Sequence, residues 1–355
     1  MISPAQSGHH WAFQYRNQSS YGVFLSLRMD MNRRECIAMV GCATIAWPRQ
    51  VRAQQSAMPV IGLLSGNRFD DRELAAVRRG LSEVGYVEGR NVMIEGRSAD
   101  GQYDRLPTLA ADLVNRPVSV ILAIGGTASA VAAKATTTTI PIVFSNGGDP
   151  IRVGLVSSLN RPGGNVTGIS FFVTTLGAKR LELLHDLVPT ATAIGFLANP
   201  SNPNAESETS DVQAAARVLG RRIHLQNASS EGEVDAAFAN FIQNRMNAVV
   251  VGSDAFFLNR RDQLSALAAR YALPTMCDVR EHAVAGTLIT YGTDRNDAYR
   301  QGGIYAAKVL KGEKPADLPV MQSTKFELVI NVKTAKTLGL TVAPSLLARA
   351  DEVIE

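Results

Sequence analysis

The sequence contains little that points to disulfide, metal or redox chemistry. Its 355 residues include three cysteines and five histidines, and no CxxC or Cys/His spacing predicts a metal site. Beyond residue 53 the only cysteine is Cys277, which excludes an internal disulfide there. The histidines of the same part (His185, His224 and His282) stand far apart along the chain. We therefore expect neither a metal nor a cofactor.

Long apolar stretches are missing as well. No run of 18 or more consecutive apolar residues occurs, so a membrane-spanning helix is not predicted. Aromatic residues make up 6% of the chain, whereas apolar residues make up 46% and charged residues 19%. This balance is typical of a globular protein, and the length is sufficient for two domains with separate cores.

Lysine is absent from the first 53 residues, which contain six arginines, one aspartate and one glutamate. This segment carries the whole formal net charge of +4, because the remaining residues hold 30 basic and 30 acidic side chains. A nucleic-acid partner is therefore not expected, since it would require a basic surface on the folded part.

Residues 1–53 have the features of an export leader. Arg33-Arg34 precedes an apolar run over 36–47, and Ala53 supplies a small residue at a plausible cleavage point. The paired arginines resemble a twin-arginine signal, and a Sec signal is the alternative. We expect residues 54–355 to be exported to the periplasm.

From Pro59 onward, short apolar segments alternate with amphipathic ones. Strands are predicted at 60–65, 92–94, 118–124 and 140–145, with helices between them. The segment 118–124 is continuously apolar, as expected for a strand buried on both faces. Such alternation implies a parallel sheet covered by helices on both sides.

The same order then begins again. The sequence IGLL at 61–64 is echoed 133 residues later by IGFL at 194–197, and Gly125 and Gly252 close equivalent strands. In this second part, strands are predicted at 193–198 and near 248–252 and 287–291, with a helix near 231–243. Order and spacing therefore predict an α/β protein with two similar, doubly wound parallel-sheet lobes.

In open parallel sheets, ligands bind beyond the carboxyl ends of the strands. The helix start at 126–129 exposes backbone N–H groups and suits a carboxylate, whereas Asp149 suits an amine or hydroxyl. Small or polar residues stand at such positions in both predicted lobes. The candidates are Ser65, Gly66, Asn67, Gly126, Thr127, Ala128, Ser129 and Asp149 in the first lobe, and Asn199, Asn204, Asp254 and Tyr291 in the second.

Each candidate also has a simpler interpretation. Gly126 and Thr127 fit a tight turn with a helix cap, Asp149 fits a turn, Asp254 fits a cap, and Tyr291 fits a core position. No GxSxG, GxxxxGK[ST] or HExxH motif occurs, so no catalytic residue is predicted. A Rossmann-like enzyme, or a ligand-sensing receptor or regulator domain of the same fold, remains the alternative to a binding protein.

Several long blocks resemble the family of ABC transporter substrate-binding proteins that includes tryptophan- and tyrosine-type binding proteins. They include GLSEVGYVEGRNV at 80–92, IPIVFSNGGDPIRVGLVSSLNRPGGNVTG at 140–168 and TKFELVINVKTAKTLGLTVAPSLLARADEVIE at 324–355. The resemblance covers nearly all of 31–355. It implies a periplasmic-binding-protein-like class I fold that closes on a small molecule and works with ABC permease subunits.

The resemblance also implies how the chain is divided. Ligand would bind between two lobes, with Ser65–Asn67, Thr127–Ser129 and Asp149 on one wall. Asn199, Asn204, Asp254 and Tyr291 would form the other wall, around an amino-acid-like ligand or a small aromatic acid. The first lobe would comprise 59–170 and 293–319, the second 171–292 and 320–355, with hinge crossings near 170–173, 291–294 and 318–325.

Overall fold

The computed structural model describes residues 58–171 and 176–355. The predicted leader and residues 172–173 of the first predicted crossing lie outside this part. From Ser56 to Glu355 the chain forms one compact unit. Its strands are β1 (Val60–Ser65), β2 (Met93–Ser98), β3 (Val120–Ile124), β4 (Ile142–Asn146), β5 (Val166–Ser170), β6 (Ala193–Ala198), β7 (Arg222–Asn227), β8 (Ala248–Val251), β9 (Thr275–Cys277), β10 (Ile289–Thr293), β11 (Met321–Gln322), β12 (Phe326–Asn331) and β13 (Glu352–Ile354).

Helices follow most of these strands, as the sequence pattern predicts. Two short 3₁₀ helices, Tyr103–Arg105 and Pro315–Asp317, accompany them. The α-helices are α1 (Asp71–Glu83), α2 (Leu106–Val114), α3 (Thr127–Thr136), α4 (Gly177–Leu187), α5 (Ala205–Val218), α6 (Glu231–Gln243), α7 (Ala255–Asn259), α8 (Arg261–Arg270), α9 (Arg280–Ala285), α10 (Arg295–Leu310), α11 (Val332–Thr337) and α12 (Pro344–Leu347).

Two sheets organise the described residues, and each has a core on both of its faces. The first has the order β11-β5-β4-β3-β1-β2 and is parallel throughout. Because side chains alternate along a strand, Ile61 and Leu63 of β1 enter the core beneath α1, while Leu64 enters the core beneath α2 and α3. This arrangement confirms the predicted doubly wound lobe.

The second sheet repeats the first. Its order is β13-β12-β10-β9-β8-β6-β7, parallel except for the antiparallel pair β10–β12. The five strands β7-β6-β8-β9-β10 follow the same order as β2-β1-β3-β4-β5 of the first sheet. The duplication inferred from the sequence is therefore confirmed by topology, and the order places a switch point between β1 and β3 and another between β6 and β8.

The chain passes between the sheets three times, after β5, after β10 and after β11. We call the first sheet with α1, α2, α3 and α10 the first lobe, and the second sheet with the remaining helices the second lobe. Met321 and Gln322 of β11 pair with Ile169 and Ser170 of β5. They therefore lie in the first sheet, whereas the sequence assigned everything from residue 320 to the second lobe; a two-residue strand has no periodicity to reveal it.

Close backbone packing fixes α10 on the first lobe. A side chain at Gly80 of α1 would collide with the carbonyl of Arg300, and one at Gly303 of α10 with the carbonyl of Val77. The two helices thus approach through glycines, which allow closer backbone contact than any other residue. The consequence for the site is that the amino-terminal end of α10 is held rigidly against α1.

Candidate ligand-binding site

A cavity lies at the carboxyl ends of both sheets, lined by residues of both lobes. Both switch points contribute to it: the loop after β3 supplies Gly125 and Gly126, and the loop after β8 supplies Ser253 and Asp254. This is where the strand order of such sheets predicts a ligand.

The first-lobe wall is built on the start of α3. Gly125 and Gly126 have φ angles of 68° and 119°, which favour glycine, and Gly126 is the N-cap without a side-chain cap bond. Ser129 does not fill that role, since its hydroxyl donates to the carbonyls of Ile124 (2.6 Å) and Gly126 (2.7 Å). The first N–H groups of α3 are thus left without a side-chain cap at the cavity, where they and the helix dipole favour an anion.

The second-lobe wall centres on Asp254, whose two carboxylate oxygens are fully engaged. Oδ1 accepts from Asn199 Nδ2 (3.1 Å) and from the backbone N–H of Phe256 (2.8 Å). Oδ2 accepts from Asn202 Nδ2 (2.8 Å) and from the Tyr103 hydroxyl (2.7 Å). Burial raises the pKa of Asp254, although the bonds from Asn199 and Tyr103 act in the opposite direction. Asp254 therefore caps α7 and organises the wall instead of offering a free carboxylate.

Two sets of hydrogen bonds join the lobes directly, and we call them the interlobe latch. The Tyr103 hydroxyl of the first lobe donates to Asp254 and accepts from the backbone N–H of Ala255 (3.1 Å). Asn204 Nδ2 of the second lobe donates to Thr127 Oγ1 (2.8 Å). Burial, followed by the Asp254 charge, raises the pKa of Tyr103 well above its ordinary value, so the phenol stays a donor. The latch holds the lobes together across the cavity.

Polar groups without a hydrogen-bond partner among the described residues remain in the second-lobe wall. Asp278, directly after β9, lines the cavity with a side chain that is 13% exposed. Its Oδ1 lies 3.7 Å from Nε2 of buried His282, which is beyond hydrogen-bonding distance. Burial lowers the pKa of His282, so this contact leaves the carboxylate without a strong ion pair. The hydroxyls of Ser253 and Thr293 also line it and have no partner among the described residues. A carboxylate and two hydroxyls are suitable acceptors for a ligand ammonium group.

Apolar surface completes the cavity. Phe171 and Tyr299 pack with tilted rings whose centroids lie 6.3 Å apart, and both line the cavity together with Leu258 and Val279. An enclosure of aromatic and aliphatic side chains with a few convergent polar groups is the usual form of a small-molecule site.

The predicted candidates divide into two groups. Those that line the cavity are Asn67, Gly126, Thr127, Asn204 and Asp254. The others lie outside its lining: Ser65, Gly66, Ala128, Ser129, Asp149, Asn199 and Tyr291.

Several of the second group support the site from behind. The Ser65 hydroxyl accepts from the N–H of Asn67 (3.1 Å), Gly66 packs against Gly125, and Asn199 holds Asp254. Asp149 and Tyr291 have separate structural roles. Asp149 accepts from the N–H groups of Ile151 (2.9 Å) and Arg152 (3.2 Å) in a turn. Tyr291 stacks on Phe326, with 6.1 Å between the two ring centroids.

Other cavity residues escaped the sequence reasoning, chiefly Tyr103, Asp278, Arg295 and Tyr299. The strand-end rule finds Asp278 once β9 is recognised, but a three-residue strand gives no pattern. It also finds Thr293 and Arg295, because β10 ends at Thr293 and not at the predicted residue 291.

Within residues 58–171 and 176–355, no cluster of histidine, cysteine or acidic residues is arranged to hold a metal ion. No helix in the same ranges has the length and apolarity needed to cross a bilayer.

Two duplicated α/β lobes around a latched cavity define the class of periplasmic-binding-protein-like solute-binding proteins, and solved structures of such proteins share this fold. The sequence model of the family described as "ABC transporter substrate binding protein" matches residues 59–354. The chain belongs to that family. The resemblance inferred from the sequence blocks is thereby confirmed, and its members are binding proteins, whereas neither alternative class finds support.

Individual relatives are similar over most of the chain. A tyrosine-binding protein of Clostridioides difficile is 29% identical over 262 residues, which are 74% of this chain and 75% of that protein. A Streptococcus structure in complex with L-Trp has a TM-score of 0.76 at 26% identity, covering 83% of this chain and 99% of the other.

A third relative is known in an open form. The ligand-free, open structure of a substrate-binding protein from Clostridium difficile has a TM-score of 0.62 at 25% identity, covering 84% of this chain and 99% of that one. In the present structure the latch bonds of Tyr103 and Asn204 join the two lobes across the cavity, so the lobes are closed on each other.

Proposed function

We propose that this protein captures a free amino acid with an aromatic side chain outside the cytoplasm and delivers it to an ABC permease. The observation that carries the proposal is the pairing, in one cavity, of the uncapped start of α3 with the carboxylate of Asp278. The first suits the α-carboxylate and the second suits the α-ammonium group. A zwitterion satisfies both.

The side chain of the ligand would lie against the apolar lining. Phe171 and Tyr299 offer aromatic surface, for which an aromatic ligand gains tilted or offset stacking in addition to burial. The names of two relatives support this choice, since one is a tyrosine-binding protein and another was solved with L-Trp.

Binding would proceed by closure of the lobes about the three crossings. A ligand that contacts both walls stabilises the closed form by its differential affinity for that form. The latch adds direct contacts between the lobes to those made through the ligand. The closed form would then dock to permease subunits, and the export leader would place the protein on the side of the membrane where the permease accepts substrate.

A panel of ligands tests the proposal on residues 54–355, which contain both sheets and all four cores. Thermal shift and calorimetry would compare L-tryptophan, L-tyrosine and L-phenylalanine with L-leucine, sugars and purines. Tryptamine lacks the carboxylate and indole-3-propionate lacks the amine. Relative to L-tryptophan, each of these two analogues is expected to bind roughly 10- to 100-fold more weakly, the usual effect of losing one charged hydrogen-bonding group from a ligand. Tight binding of a sugar or purine in place of every amino acid would refute the proposal.

A further inference from the structure

The amino-terminal turn of α10 brings a nearly buried arginine to the cavity. The Arg295 side chain is 11% exposed and lines the cavity wall beside Gly125 and Tyr299. It forms an ion pair through Nη2 with Glu73 of α1, whose side chain is 7% exposed. Since α1 and α10 pack through Gly80 and Gly303, this pair is part of the rigid first lobe and is independent of lobe closure.

All the recorded bonds of Arg295 fall on one nitrogen. Besides Glu73, Nη2 contacts the Tyr299 hydroxyl at 3.0 Å. It also contacts the side-chain oxygen of Asn67 at 3.0 Å, in the amide orientation that lets Asn67 donate to the carbonyl of Ala255. Among the described residues, no partner is recorded for the N–H groups of Nε and Nη1. A guanidinium carries five N–H donors in a planar fork, so an anchored edge leaves donors for a second acceptor.

The Tyr299 hydroxyl, like the Arg295 guanidinium, has a donor for which no acceptor is recorded among the described residues. It is contacted by two donors, Arg295 Nη2 and the backbone N–H of Gly125 at 3.3 Å, and Tyr299 is 1% exposed. Its oxygen therefore serves as acceptor on both sides, while its own hydrogen has no recorded acceptor in the described part of the chain. Tyr299 lines the cavity, and its contact with Gly125 places this hydroxyl next to the loop that starts α3.

We propose that Arg295, together with the Tyr299 hydroxyl, binds the carboxylate of the ligand and makes the protein select carboxylate-bearing ligands. Glu73 is a positioning residue, because it holds Nη2 and directs the remaining donors of the guanidinium away from α1. Donors from the guanidinium, the phenol and the start of α3 then converge on one anionic group, which a neutral amide or an alcohol cannot satisfy equally. This inference rests on the proposed amino-acid function and deepens it.

The test compares L-tryptophan with L-tryptophanamide, which keeps the amine and the indole but lacks the negative charge. For residues 54–355 of the natural sequence, calorimetry should show L-tryptophan binding roughly 10- to 100-fold more tightly than the amide. R295Q should lose most of that factor for L-tryptophan and change little for the amide, so the ratio of the two affinities falls towards one.

R300Q is the matched control. Arg300 lies on the same helix and is bonded to Glu83 (2.7 Å) and Asp297 (2.9 Å), and it does not line the cavity. Its substitution should leave the ratio unchanged. Y299F is a milder second variant that keeps the ring and removes only the hydroxyl, so it tests the same subsite if R295Q does not fold. It should reduce the ratio roughly 3- to 10-fold, as expected for loss of one hydrogen bond.

The possible outcomes separate the two proposals. If the natural sequence binds L-tryptophan and folded R295Q or Y299F keeps the full ratio, the carboxylate role of this subsite is refuted while the amino-acid function stands. If the natural sequence binds only ligands without a carboxylate, both proposals are refuted. A ratio that falls in R295Q and Y299F but not in R300Q supports the inference.

Discussion

The loops that follow β3 and β8 occupy equivalent places in the two lobes, yet the helix start after β3 is left free to donate hydrogen bonds to a ligand and the one after β8 is not. In the first lobe, α3 begins at Gly126 without a side-chain cap. In the second, Asp254 caps α7 by accepting from Phe256 and Phe257. The first lobe therefore offers donors, whereas the second keeps its helix start occupied and contributes acceptors such as Asp278.

The two loops are also supported differently from behind. The N–H of Gly125 donates to a neutral phenol, that of Tyr299. The N–H of Ser253 donates to both oxygens of Glu208 (3.1 and 3.0 Å), which is itself paired with buried Arg180 at 3.1 Å. The duplicated fold thus supplies equivalent positions, and different residues at those positions give the first lobe donors and the second lobe acceptors, which is the division that the proposed zwitterionic ligand would require.

The largest effect is expected from Asp254→Ala, which removes the cap of α7 and the Tyr103 half of the latch. Ligand affinity should fall roughly 10- to 100-fold, because an N-cap and a charged hydrogen bond between lobes are lost together. Calorimetry measures it. Asp262→Ala, an exposed acid in the first turn of α8 with no recorded partner, is the control and should be neutral. An unchanged affinity in Asp254→Ala would mean that the second-lobe wall is not organised by this residue.

A smaller effect is expected from Gly148→Ala, which targets the other half of the latch. The added methyl group would come within 2.5 Å of Asn204 Oδ1 and 2.6 Å of Thr127 Oγ1. It should wedge the lobes apart and weaken binding about 10-fold, equivalent to about 1.4 kcal/mol. Gly232→Ala, where nothing lies within 4 Å of the new methyl group, serves as the control. Equal affinities in the two variants would show that Thr127 and Asn204 do not meet in the bound form.

Tyr103→Phe should have a weaker effect again, because the capping bonds of Asp254 remain. We expect a roughly 3- to 10-fold faster dissociation for every ligand alike, since one latch bond is lost and the selective groups are untouched. Stopped-flow fluorescence measures the rate. Tyr305→Phe loses a hydroxyl bond to the carbonyl of Pro319 within the first lobe and should leave dissociation unchanged. A change in ligand preference in Tyr103→Phe would contradict a role in closure alone.

The last prediction concerns folding stability and not ligand affinity, and it addresses the support of the second loop. Burial raises the pKa of Glu208 from 4.5 to about 7, more than Arg180 and the Ser253 N–H lower it. Between these values the folded state holds a proton that the unfolded state has released. Stability should therefore fall as the pH rises from about 4.5 to 7, by at most roughly 1.4 kcal/mol per pH unit, and then level off.

Urea unfolding at several pH values measures this dependence. Glu208→Gln should remove that component, whereas the exposed neighbour Glu206→Gln should retain it. If the natural sequence and the Glu208→Gln variant had parallel pH profiles, a raised pKa of Glu208 in the folded state would be contradicted.

Much of the fold follows from the sequence because its long elements are strongly patterned. The apolar segments at 60–65 and 193–198, and the helix at 231–243, coincide with β1, β6 and α6 as observed. In α6, Ser230 and Glu233 form a reciprocal cap that marks the start clearly. The elements that escaped prediction, such as β9, β11 and β13, have two or three residues and depend on neighbours already in place.

The site was less predictable than the fold, because the side chains at a strand end depend on the exact residue at which the strand ends, as β10 illustrates. The strand was expected to end at 291, which placed Tyr291 at the cleft; it ends at Thr293, so the cleft receives Thr293 and Arg295. A shift of two residues changes which side chains stand at a strand end. Tyr103 could not be inferred at all, because its cavity position arises from contact with Asp254, 151 residues away.

The most direct measurement is a fluorescence titration of residues 54–355 with L-tryptophan. Trp11 and Trp47 are the only tryptophans of the sequence, so this fragment contributes no tryptophan emission. Binding of an aromatic amino acid in the cavity predicts a saturable change in ligand emission at one molecule per chain, reversed by excess L-tyrosine or L-phenylalanine. Emission that stays proportional to added L-tryptophan, with no saturable component, would contradict it.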